Sequence, residues 1–299
     1  MAVLAPAPHW VRLFLMLASL TISRSAGSDV AEEAILDPAG VMRYFGNDVE
    51  VHKVTTEDGY ILEVDRILPR STGGATITRT PMLLVHGLLA DAGSWVKNLP
   101  SQSAGFLLAD SGYDVWLVNT RGVPQSNYHV TLTTNDAAFW NWSFDEIGRY
   151  DLPAVVDYIL DLTGFSKLGL LAISQGATDV LVFLSMLPEY NRKVYRARNF
   201  VRFDYGILKN LVKYGQVKPP AYPLEQIRVP VAIYQGQGDK FAVPQDVDDL
   251  SERLKHVLVL KYMVPDPDFG HLDFLMGFNA TDILHSHMID LISHYTAVA

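Results

Sequence analysis

The chain has 299 residues, of which 49% are hydrophobic, 19% charged and 11% aromatic, enough apolar material for a full core and too much for a disordered chain. Lys and Arg total 24 against 33 Asp and Glu, a formal net charge of −9, and that acidic balance argues against nucleic acid as a partner. Cysteine is absent, which excludes disulfides, thiolate metal sites and cysteine nucleophiles.

Residues 13–22 form a largely apolar run behind Arg12 and ahead of the small, polar residues 23–28. Ten residues are too few for a hydrocarbon core that needs ~20, and the pattern is that of a signal peptide. Residues 1–26 are therefore expected to be removed, leaving residues 27–299 as one domain without a transmembrane segment. The secretory route then leads to the lysosome or the extracellular fluid. Sequons at Asn141 and Asn279 fit that route as glycosylation sites.

Next, residues 49–68 alternate around Glu57-Asp58-Gly59 and read as a hairpin. Short apolar runs then recur at 81–86, 113–119, 167–173, 229–235 and 257–264, bounded by Gly, Pro or charge, as buried parallel strands are. Between them, Ser143 and Glu146 have capping-box spacing ahead of a helix that ends before Gly164 and is kinked or restarted at Pro153. Residues 177–187, 244–254 and 282–295 also carry helical spacing. Strands alternating with helices predict an open α/β sheet.

The strand ending at Ile173 runs into Ser174-Gln175-Gly176 and then a helix. Such a turn lifts a serine hydroxyl above the sheet and needs small residues two positions away on each side, here Ala172 and Gly176. A serine so placed needs a base to take its proton and an acid to orient the base, in the chain order Ser, acid, His. Asp239 follows the 229–235 strand, and His271 follows the next one. Asp266, Asp268 and Asp273 are nearer His271 in sequence but end no strand, so Asp239 is preferred. The backbone amides of Gln175 and of Leu88, in the loop His86-Gly87-Leu88-Leu89, are the candidate oxyanion donors. His86 reads as structural. His285, His287 and His294 lack metal-pair spacing and read as surface residues, so no metal site is expected.

With these residues in place, the chain resembles the acid lipases, which include lysosomal acid lipase and the gastric lipases. The resemblance covers about residues 34–292 and is carried by Thr56-Glu-Asp-Gly-Tyr60, His86-Gly-Leu-Leu89, Asn119-Thr-Arg-Gly122, Tyr150-Asp-Leu-Pro153, Ser174-Gln-Gly176, Pro219-Pro-Ala-Tyr222 and His271-Leu-Asp-Phe274. It implies an α/β-hydrolase that cleaves neutral lipid esters at a lipid–water interface through a serine acyl-enzyme, in acid, without a cofactor, using Ser174, Asp239 and His271.

Three departures stand out. Ala172-Ile173 replaces the family's Gly-His before the serine. Ser174 and Asp239 are only 65 residues apart, so most of the family's helical cap is missing, with residues 188–228 as a shortened remnant. The strand that should lie between the serine and acid strands has no counterpart unless residues 194–203 supply it. The remnant carries nine Lys or Arg against three acids and reads as a solvated flank in preference to an anchor for anionic lipid. Loss of the cap predicts a shift towards short, soluble esters. A short-chain esterase and a catalytically impaired lipid-binding homologue are the alternative readings.

Overall fold

The computed structural model describes residues 35–68, 80–194 and 206–296; the expected signal segment lies outside them. In chain order the elements are α1 (Pro38–Tyr44), β1 (Val49–Thr55), β2 (Tyr60–Ile67), β3 (Pro81–Val85), α2 (Ala104–Asp110), β4 (Asp114–Asn119) and a two-residue β5 (Tyr128–His129). They continue with α3 (Leu152–Thr163), β6 (Gly169–Ala172), α4 (Gln175–Met186), α5 (Ile207–Tyr214), β7 (Val231–Gln235), α6 (Pro244–Leu254), β8 (Leu258–Met263) and α7 (Ser286–Thr296).

The principal sheet has the order β1-β2-β4-β3-β6, with β5 on β2. Its first part is antiparallel, β1 on β2 and β2 on β4, and its second is parallel, β4 on β3 and β3 on β6. Every residue of β3 and β4 is buried, because helices cover both faces and a parallel strand there has no polar side. On one face Leu83, Val85, Trp116 and Val118 pack against Val155 and Ile159 of α3 and Val180 and Phe183 of α4. On the other, Met82, Leu84, Val115 and Leu117 meet α1, α2 and α7 through Met42, Phe106, Leu108 and Met288.

The approach to α3 follows its sequence signals. Ser143 Oγ accepts from the Asp145 amide, the Ser143 amide donates to Glu146 Oε2 at 2.8 Å, and the box is complete. The restart expected near Pro153 takes the form of a π-turn over Ile147–Asp151, after which α3 runs to a left-handed Gly164. The left-handed conformation has no steric cost at glycine, which ends the helix there.

Among the described residues, the sheet is interrupted between β6 and β7. β7 and β8 pair with each other in parallel as a separate ribbon. Among the described residues, the facing edges of β6 and β7 meet no strand; a lone parallel bridge, Leu168 with Val194, touches the base of β6. Most of the candidate segment 194–203 lies outside the described residues. Leu170, Leu171 and Ala172 are consequently half-buried, unlike the fully buried β3 and β4 beside them. Unpaired backbone groups cost ~1–3 kcal/mol each when fully buried; partial exposure lets water relieve that cost.

Of the segment 188–228, α5 and the residues just after it are mostly exposed, as a solvated flank is, whereas Tyr222 and Leu224 pack with Val182 in the core, and Lys193 and Lys213 pair with Asp157 and Glu146 at 2.7 and 2.9 Å. One reading of the sequence is corrected. His285 is buried, 2% exposed, and His287 stacks on Tyr262 with ring centroids 4.3 Å apart. His285 closes the π-turn over Thr281–His285 ahead of α7, and its Nε2–H donates to the Phe274 carbonyl at 3.2 Å. His294 is exposed, as expected. Among the described residues, no helix is long and apolar enough to cross a membrane.

Candidate active site

Ser174 sits between β6 and α4 with φ 54° and ψ −126°, a left-handed backbone that a non-glycine residue adopts only when its surroundings enforce it. The enforcement is visible two residues on. A Cβ on Gly176 would stand 2.4 Å from the His86 carbonyl oxygen and 2.5 Å from that of Val85, so only glycine lets α4 start this close to the end of β3. On the other side, a Cβ on Gly87 would reach 3.0 Å from the Ser174 Cβ, which brings the loop after β3 directly against the serine.

Three elements far apart in sequence bring their polar groups together here. His271 Nε2 lies 2.9 Å from Ser174 Oγ, and His271 Nδ1 lies 2.8 Å from Asp239 Oδ2. Asp239 is itself fixed, since its Oδ1 accepts from the amides of Phe241 and Ala242 at 2.8 and 2.9 Å. With Nδ1–H donating to the carboxylate, the Nε2 lone pair is left for the serine proton. Two of the three competing acids are occupied elsewhere: Asp266 accepts from the Asp268 amide and from Asn279, and Asp273 from the Gly270 amide.

His86 is buried and structural, as its sequence position suggests. Its Nε2 accepts from the Thr120 amide at 3.2 Å, which places the proton on Nδ1, and Nδ1–H donates to the Gly87 carbonyl at 2.9 Å. Burial holds its pKa below the ordinary histidine value. The ring thereby ties the loop after β3 to the end of β4. In that loop Leu88 is exposed and Leu89 takes a left-handed φ of 59°. Among the described residues, neither the Leu88 nor the Gln175 amide donates to another group. Asn141 and Asn279 are exposed, with the Asn279 amide group donating to Asp266.

Three features went unforeseen. The exposed Phe241 ring lies 5.2 Å from the His271 ring, centroid to centroid, and nothing in the sequence marks a residue two positions after the acid as its neighbour. Asp65 on β2 and Asp179 on α4 are fully buried acids, each with one oxygen that lacks a partner. Their place on core-facing positions was the available signal. No group of three His, Asp or Glu side chains among the described residues could hold a metal ion.

The chain resembles known proteins along most of its length. It is 42% identical to human "Lipase member M" over 375 aligned positions that span 88% of this chain and 87% of that protein. The chain belongs to the acid lipase family. It is accordingly a hydrolase of the lipase class with the α/β-hydrolase fold. That alignment is longer than the chain itself, so the relative carries segments with no counterpart here. Bovine "Gastric triacylglycerol lipase" is 29% identical across 87% of this chain and 92% of its own length. Two family profiles match as well, a partial alpha/beta-hydrolase lipase region at residues 39–99 and the alpha/beta hydrolase fold at residues 80–196. Among solved structures, an esterase of Pyrococcus furiosus superposes with a TM-score of 0.57 at 18% identity, over 92% of this chain and 96% of its own, a likeness of fold.

Proposed function

We propose that this acid lipase family member is a serine carboxylic ester hydrolase acting on neutral lipid esters of the triacylglycerol or cholesteryl ester type. Ser174 is its nucleophile, His271 the general base and then acid, and Asp239 the residue that orients the imidazole. The observation that carries the reading is the unbroken hydrogen-bonded series from Ser174 Oγ through His271 to Asp239. Fold stability alone gives no reason for these three groups to converge on a strained serine.

In the reaction, Nε2 takes the Oγ proton as Oγ bonds to the ester carbonyl carbon, and the amides of Leu88 and Gln175 receive the developing oxyanion. Collapse of the tetrahedral species breaks the bond to the alkoxy oxygen, which leaves as the alcohol with the proton from Nε2. Water then repeats the sequence: it loses a proton to Nε2, attacks the acyl carbon, and the acid departs as Ser174 regains its hydrogen. Water is the sole co-substrate, and no metal or other cofactor is required.

Secretion after removal of residues 1–26, residence in the lysosome or the extracellular fluid, and glycans on Asn141 and Asn279 belong to the same proposal, as does residues 188–228 being a shortened cap. The test is a fluorophosphonate reaction followed by peptide mass spectrometry. A stoichiometric adduct on Ser174 that disappears in His271→Ala is expected; a folded protein that stays unlabelled refutes the assignment.

A further inference from the structure

Between β6 and β7 lies a cavity of about 840 Å³. Its lining follows the two strands from end to end. Gly169 and Pro230, at their N-terminal ends, close one extreme, and Ser174, Asp239 and His271 line the other. Residues 169–174 rise roughly 16 Å at ~3.3 Å per residue. The walls between are apolar and come from every surrounding layer: Leu170 of β6, Ala232 of β7, Leu181 of α4, Leu254 of α6 and Ile292 of α7. Among the described residues, apart from the site itself and His285, charged side chains reach the lining only from α6.

Such a shape suits a flexible hydrocarbon chain with a polar head. The volume falls within the ~300–1,000 Å³ of small-molecule sites, and polar groups converge at one end. Covalent geometry fixes where that chain must start, because the acyl carbon of the intermediate is bonded to Ser174 Oγ at the polar end of the cavity. We propose that the cleft between β6 and β7 is the acyl subsite, holding a medium-length fatty acyl chain alongside β6 with its carboxyl end at Ser174. This rests on the serine ester hydrolase reading, and it replaces the short-ester preference expected from loss of the cap with a preference for longer chains.

Two measurements test it separately from that reading. In the first, kcat/KM is compared for p-nitrophenyl esters from acetate to decanoate. Burial of each methylene predicts a rise of about fourfold per carbon until the cleft is filled. Ala232→Trp and Leu181→Trp, each checked for native circular dichroism, fill the space and collapse the decanoate-to-acetate ratio. In the second, laurate is titrated calorimetrically into Ser174→Ala, which has no nucleophile. Binding is expected, and it is lost when Ala232→Trp is added. A flat chain-length profile, or ratios unchanged in both Trp variants, overturns the subsite, as does a Ser174→Ala protein that ignores laurate. Laurate bound and displaced by the Trp side chain, with every ester left intact, supports the cleft as a fatty acyl site and refutes the hydrolase reading instead.

Discussion

Asp65→Asn isolates one buried proton and its effect on stability. Asp65 lies on β2, fully buried, with Oδ2 accepting from Asn119 at 3.1 Å and Oδ1 without a partner. Burial, reinforced by the nearby Glu63 carboxylate, pushes its pKa up to about 7 from an ordinary 3.8. The native state therefore keeps the proton between pH 4 and 7 while the unfolded chain releases it, and stability falls as pH rises through that window. Linkage between the two values gives a cost of ~1.5 kcal/mol at pH 5 and ~4 kcal/mol at pH 8, a difference of roughly 2.5 kcal/mol. Asparagine keeps the shape and the acceptor for Asn119 but cannot ionise. The wild-type profile is a sum, because His86 and His285, both held neutral by burial, lose stability in the opposite direction as pH falls below their ordinary value. The informative quantity is thus the variant minus the wild type. Urea denaturation at pH 5, 6, 7 and 8 should show Asp65→Asn gaining ~2.5 kcal/mol relative to wild type across the range. A constant offset at all four pH values refutes the buried-proton argument.

Other perturbations follow from the same contacts. Asp179 is buried with Oδ1 unpartnered, and burial together with Asp151 raises its pKa well above the ordinary value; Asp179→Asn should stabilise the protein by ~1–3 kcal/mol at pH 8, seen as a higher urea midpoint, with the gain shrinking towards pH 4. Arg121, 1% exposed, joins Asp151 and Asp58 at 2.6 Å each; Arg121→Met strands the buried Asp151 carboxylate and should cost ~3–5 kcal/mol in chemical denaturation. Gly176→Ala drives a methyl into the Val85 and His86 carbonyls, so fluorophosphonate labelling of Ser174 should fall at least tenfold even where circular dichroism shows a folded protein. Phe241→Ala removes the ring beside His271 but leaves the amide that holds Asp239; labelling should persist within a few-fold, and complete loss would show that the ring itself positions the imidazole.

Much of the fold was legible because its signals are local. The runs at 81–86 and 113–119 are apolar throughout since parallel strands are covered on both faces, and the structure has β3 and β4 there. Ser143 with Glu146, and Gly164, mark helix boundaries through their own hydrogen bonds and backbone angles. The residues of the site were legible for a different reason. A serine between a strand and a helix, an acid after a strand and a later histidine occur in the one order that the α/β-hydrolase topology can bring together.

What the sequence could not decide depends on neighbours distant in the chain. The burial of His285 and the stacking of His287 depend on partners outside their own helix, the Phe274 carbonyl and the Tyr262 ring. Asp239 was singled out by where it ends a strand, but its fixed orientation comes from the Phe241 and Ala242 amides, and the occupation of Asp266 and Asp273 by other donors appears only once the loops are folded. The sequence left open whether residues 194–203 supply a strand beside β6. Only the tertiary structure decided how the described strands group: β7 and β8 pair as their own ribbon, and a largely apolar cleft opens at Ser174. Local patterning sets which segments form strands and helices, whereas the space between two strands is set by every layer packed around it, and no single stretch of chain encodes that space.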